Sequence, residues 1–217
     1  STGRVALITL LVFVVFTALV LPWQASEASR ASKGAGAPDT SLWYTPAELY
    51  AMAETYGPEG RQAYLLARWS FDVIWPLVYT AFLVAGTSWL TRRIFSAQSP
   101  WQYLNLAPVL AMTLDFLENT AASIVLARYP TPTPLIAALA PVFTLLKWIF
   151  VGGSFLLLIG LALTALLQTR NQRARTPSQQ DYRGNEKNPM SLVEQLSSQA
   201  GDRTEQSNVR VAEQCLI

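Results

Sequence analysis

The chain has 217 residues, 51% of them hydrophobic and only 14% charged, where a soluble domain carries about 25% charged residues, so it reads as a membrane protein. The formal charge is +2 and the basic residues are scattered rather than gathered into a stripe with interleaved aromatics, which sets nucleic acid aside as a partner. Histidine is absent and the single cysteine is Cys215; within this sequence that excludes Ser/His/Asp and Cys/His catalytic groups, His-ligated haem or zinc, an intrachain disulfide and a CxxC redox pair.

The first apolar segment, Val5 to Leu21, carries no charge over 17 residues, the short end of the range for a spanning helix. A cleaved signal peptide is the competing reading, since small residues follow and Ser26-Glu27-Ala28 offers a place to cut. The apolar run exceeds the usual ~7–15 residues of a signal h-region, which favours an uncleaved anchor. Residues 1–22 are therefore expected to form the first transmembrane helix, and the Gly/Ala/Ser-rich residues 23–41 a flexible extracytoplasmic tether.

Order is expected to resume at Leu42. Thr45 is placed as an N-cap with Pro46 at N1 and Glu48 at N3, a capping box that starts a helix running to about Tyr56. Gly57-Pro58 ends it, and a second helix runs from Pro58 into the next span. The aromatic content of residues 42–70 points to an extracytoplasmic helical pair lying on the membrane or capping the bundle.

The second segment, Phe71 to Leu90, and the third, Leu104 to Ala127, each reach the ~20 residues a span requires. Pro76 and Pro108 remove backbone donors and are candidate bends. The fourth segment, Leu135 to Leu167, is 33 residues long, about 50 Å as a helix, so it must tilt, break at Pro141 or Gly152-Gly153, or project from the bilayer. After it the composition turns to Gln, Ser, Asn, Arg and Glu, and residues 168–217 are expected to form a disordered tail. Arg4, Arg92-Arg93 and Arg170, Arg173 and Arg175 flank the spans on one side, which predicts a cell-membrane protein with both termini cytoplasmic.

Residues 42–167, with YTPAELYAMAETYGPEGRQAY, FDVIWPLVYTAFL, DFLENT and FTLLKW, resemble a set of uncharacterised bacterial four-span membrane proteins. The resemblance implies the architecture and no activity, ligand or site residue. The fold class is accordingly all-α: a four-transmembrane-helix bundle with a short extracytoplasmic helical pair and a disordered cytoplasmic tail.

Functional chemistry concentrates in one stretch of the third segment, TLDFLENTA. At 100° per residue, Glu118 and Asn119 lie about 60° and about 40° from Asp115, so all three project from one side of the helix. An ionised carboxylate at the bilayer centre costs roughly 2.5–3.5 kcal/mol or more, so this stripe must face protein or water. Lys147, twelve residues into an antiparallel fourth segment, is expected at the same level and to pair with Glu118 or Asp115 as an intramembrane ion pair. Asp72 shares a face with Trp75, Pro76 and Tyr79, and Arg68 is its i,i+4 mate. The expected polar cluster is thus Asp115, Glu118, Asn119, Lys147, Asp72 and Arg68, in the half of the bilayer nearer the outer side.

Such a cluster either locks the helices or works as a site. The leading functional reading is a non-catalytic binding or scaffold protein taking a lipid or small polar ligand. One alternative is a membrane-embedded enzyme acting on a lipid or isoprenoid phosphate through a metal held by Asp115 and Glu118; only one such motif is present, fewer acids than that chemistry normally uses. Another is an accessory subunit of a larger membrane complex, held by a membrane protein partner. Neither an inverted repeat nor a polar stripe across the full thickness supports transport. The residue types call for no cofactor.

Overall fold

The computed structural model describes residues 2–38 and 41–175, together with Ser197. It is all-α, with no strand among the described residues. Four helical stretches are long and apolar enough to cross a membrane: Gly3–Arg30, Pro46–Ile94, Pro100–Arg128 and Pro134–Gln172. A multi-pass membrane protein fits this architecture.

The first stretch comprises α1 (Gly3–Val15), a π-helical turn (Phe16–Val20) and α2 (Leu21–Ala31). The wider turn falls just before Pro22, which has no N–H to give the preceding turn, and a π adjustment re-satisfies the freed carbonyls. Composition alone reads a flexible tether from Trp23; the helix instead continues to Ala31. Ala, Gln and Glu propagate helix well, and Glu27 and Arg30 pair at 2.9 Å one turn apart. This stretch docks through aromatic rings. Phe13 stacks on Trp75 and Phe82, and Phe16 on Phe71 and Trp75, with ring centroids 4.8–5.7 Å apart.

Helix α3 (Pro46–Arg68) starts on the capping box: the Thr45 N–H donates to Glu48 Oε2 at 2.6 Å, and Glu48 N–H to Thr45 Oγ1 at 3.2 Å. Gly57 interrupts it with φ 67° and ψ 179°, a left-handed region open to glycine and strained for other residues. Pro58 then opens the second half with its fixed φ and missing donor. Arg61 donates to the Ala53 carbonyl at 2.8 Å, a side-chain bond that spans the break. One face of α3 is buried, including Leu49, Ala53, Tyr56 and Tyr64. It packs with Ala121, Ala122, Val125 and Leu126 of α5 (Leu106–Arg128) and Ala137 and Ala140 of α6 (Pro134–Arg175). Alanines there let the backbones approach closely. Tyr50 Oη accepts from Thr133 N–H at 2.7 Å, and Thr144 Oγ1 donates to Tyr44 Oη at 3.2 Å, tying α3 and its lead-in to α6.

Helix α4 (Phe71–Ile94) and helix α5 (Leu106–Arg128) are joined through a 3₁₀ turn, Pro100–Asn105. Asn105 donates to Ser88 Oγ at 3.0 Å, and Thr91 to Gln102 Oε1 at 3.3 Å. Pro76 and Pro108 are both contained within their helices. Helix α5 is the central element: Ala111, Leu114, Asp115, Glu118, Asn119, Ala122 and Val125 are all buried. Helix α6 (Pro134–Arg175) is a single element of 42 residues that includes Pro141 and Gly152-Gly153; at 1.5 Å per residue it measures about 63 Å, twice a hydrocarbon core. Its buried positions include Ala137, Ala140, Thr144, Lys147, Ser154 and Leu161, which recur at helical spacing and define one inward stripe. The chain divides into two compact units at Leu166/Leu167. In the second, the helix persists to Arg175 where composition reads a disordered tail from 168, since Gln, Arg and Ala are good helix formers. The rest of the expected tail lies outside the described residues, Ser197 apart.

Candidate functional site

The polar residues of α3, α4, α5 and α6 converge within the bundle. Lys147 of α6 bonds to Glu118 Oε2 of α5, and its ammonium stands 3.5 Å from Asp115 Oδ1, one turn along the same α5 face. Asp115 also accepts from Tyr79 Oη of α4 at 3.1 Å. A second set adjoins it. Arg68, in the last turn of α3, holds Asp72 Oδ2 at 2.9 Å, donates to Asn119 Oδ1 at 3.2 Å, and lies over the Tyr64 ring at 4.5 Å from its centroid. Asn119 closes this set by donating from Nδ2 to the Asp72 carbonyl at 3.4 Å.

Burial makes these contacts consequential. The side chains of Glu118, Arg68 and Lys147 are 1%, 5% and 6% exposed, and that of Asp72 is 17% exposed. Charges with so little water stay ionised only when paired and hydrogen-bonded. All six residues singled out in the sequence lie in this one region. Tyr79 joins them; its position on the Asp72 face, seven residues on, was the available signal.

The network borders open space. One cavity, of about 390 Å³, is lined by Arg68, Asp72, Tyr79, Asp115 and Lys147 on its polar side and by Leu21, Trp75, Trp148, Val151 and Phe155 among its apolar residues. A second, of about 340 Å³, lies between α2, α3 and α4, and shares Leu21, Arg68, Asp72 and Trp75 with the first. The Arg68–Asp72 pair is therefore common to both. The α6 wall carries no mark in the sequence. Trp148, Val151 and Phe155 share a helical face, but nothing in their type tells a cavity face from a lipid face.

The main cavity is amphipathic along its length. Its charged residues sit at the level of Lys147, while Phe155 lies eight residues further along α6, about 12 Å. There Phe155 meets Phe82 at 6.4 Å between ring centroids. As for a divalent cation between Asp115 and Glu118, the ammonium of Lys147 contacts both carboxylates and holds the place such an ion would take. Comparison of the chain with protein-family models, curated proteins and solved structures gives no match.

Proposed function

We propose that this chain is a multi-pass, membrane-embedded binding protein whose main cavity holds an amphiphile. The polar part of that molecule lies against Arg68, Asp72, Tyr79, Asp115 and Lys147, and its apolar part along Val151 and Phe155. The observation that supports this reading most is the cavity itself, about 390 Å³ beside a buried charged network. Protein interiors pack with few voids larger than a water molecule, and a network that only locked helices would need no such space. The volume falls in the range of ligand pockets, with apolar walls and a few convergent polar groups.

We place the site in the half of the bilayer nearer the outer face, with the termini cytoplasmic. Arg4, Arg92 and Arg93 support this orientation: they cluster at the end of the bundle where Gly3 meets Trp89 and Arg93 lies 4.4 Å over the Trp89 ring, away from α3, and cytoplasmic flanks carry such excess.

Native mass spectrometry of the purified chain tests the binding role. The parent is expected to retain one amphiphile per chain, and Val151→Phe, which fills the apolar end without touching a charge, to lose it while remaining folded. A parent that carries no adduct under conditions that preserve its fold would overturn the reading.

A further inference from the structure

The two cavities lie on opposite sides of one polar level. Helices α3 and α4 pass along the bundle in a single direction: Tyr50 bonds to Thr133, beyond the end of α5, Arg68 to Asn119, Tyr79 to Asp115 and Ser88 to Asn105 at the start of α5. Position along this path therefore gives depth in the bundle. The main cavity takes its lining from Arg68 onward, through Asp72 and Trp75 to Tyr79. The second takes residues before Arg68 as well, from Tyr56 through Gly60 and Ala63, and so extends the other way. Gly60 stands eight residues before Arg68, about 12 Å along a helix.

The walls of the second cavity are small or aromatic between its ends: Ala25 and Ala28 of α2, Ala63 and Ala67 of α3, and Phe71 and Trp75 of α4. Its polar lining apart from Arg68 and Asp72 includes Gln24, Glu27 and Ser32, beyond Leu21 toward the far end of α2. Packed interiors leave few voids larger than a water molecule, and a space with apolar walls takes up apolar matter. Leu21, Arg68, Asp72 and Trp75 border both cavities, so an occupant of one touches residues that line the other. We infer that the two cavities form one elongated site, whose ligand is an amphiphile with its polar group inside the molecule rather than at one end. That group lies beside Arg68 and Asp72, one apolar arm runs along Val151 and Phe155, and a second runs between α2 and α3 against Ala28 and Ala63. This rests on the binding role proposed above and adds the shape of the ligand to it. An amphiphile with a terminal head group at the same level would fill the main cavity and leave the second without apolar matter.

The test compares two isomers of one uncharged alcohol, stearyl alcohol with its hydroxyl at the end of the chain and the isomer with its hydroxyl at the ninth carbon. A hydroxyl both donates and accepts, so it meets a lining of either charge. Each isomer is added separately to the full-length protein in maltoside micelles and read by native mass spectrometry. The mid-chain isomer is expected to be retained one per chain and about tenfold better than the terminal one, the effect of burying roughly two further methylene groups. Ala63→Phe, which fills the second cavity, is expected to remove that advantage and to leave retention of the terminal alcohol unchanged. Ala28→Phe acts from the opposite wall and takes its place should Ala63→Phe fail to fold, while Val151→Phe is expected to weaken both isomers. Equal or better retention of the terminal alcohol by the parent, or an advantage that survives both alanine replacements, would overturn the elongated site and leave the binding role standing. Retention of neither isomer by a folded parent would overturn both.

Discussion

The ammonium of Lys147 bonds to the carboxylate of Glu118 across 29 residues of sequence, and both side chains are almost wholly withdrawn from solvent. Removing one partner strands the other charge in a medium that cannot solvate it. Lys147→Met is therefore expected to destabilise the protein by about 3–5 kcal/mol, and the double variant Lys147→Met/Glu118→Gln to recover only part of that loss, since Asp115 loses the same ammonium. Unfolding in mixed micelles, run as a double-mutant cycle, measures the coupling. Additive losses would show that the pair contributes nothing as a pair.

Gly57 lies at φ 67° in the middle of α3. An L-residue there is expected to cost about 1–2 kcal/mol, so Gly57→Ala should lower the thermal midpoint although a Cβ at that position meets only the end of Lys33. Gly152→Ala, with open space around it and an ordinary helical backbone, is the control and should be neutral or mildly stabilising. Differential scanning fluorimetry of the two variants distinguishes a conformational cost from a steric one.

The carboxylate of Glu48 is held below its ordinary pKa, first by the backbone N–H of Thr45 and then by its hydroxyl. A carboxyl whose folded pKa is depressed contributes stability that is present above its unfolded pKa of about 4.3, and is lost as pH falls through the folded value. The start of α3 should therefore loosen on acidification below about pH 4, and Glu48→Gln should remove that dependence. Amide protection factors for residues 46–50 as a function of pH report the difference. An unchanged acid profile in the variant would assign the loosening to another carboxylate.

At the other end of the bundle, a Cβ on Gly86 would come within 2.9 Å of Leu158 Cδ1. Gly86→Val is expected to force α4 from α6 and to cost about 1–3 kcal/mol. Leu158→Ala in the same chain should restore much of the loss by vacating the space. Thermal unfolding of the single and double variants checks this; no recovery would mean that the strain lies in the α4 backbone rather than between side chains.

What the sequence showed depended on how local the determinant was. The Thr45/Glu48 cap and the Gly57-Pro58 break are written in adjacent residues and can be read without knowing what packs on them. The convergence of Lys147 on Asp115 and Glu118 was legible for a different reason. Charges are so costly in an apolar helix that they must find one another, and a short turn between antiparallel helices fixes their common level. The aromatic docking of Phe13 and Phe16 and the cavity wall of Trp148, Val151 and Phe155 were not legible. In a membrane protein the residues facing lipid and those facing protein are equally apolar, so burial leaves no polarity pattern to read. The length of α2 was missed because small residues such as Ala and Ser describe a tether and a helix equally well.

Leu21 belongs to the lining of both cavities, and it comes from a helical stretch whose most apolar window is not buried against the rest of the chain. On the binding role proposed above, one wall of the site is a helix whose outer surface is open to lipid tails, a molecule that settles behind it is drawn from the bilayer, and the quantity that sets occupancy is its mole fraction among the lipids, not its molarity in water. Diluting the protein with more lipid at constant total ligand should empty the site, just as diluting an aqueous receptor does.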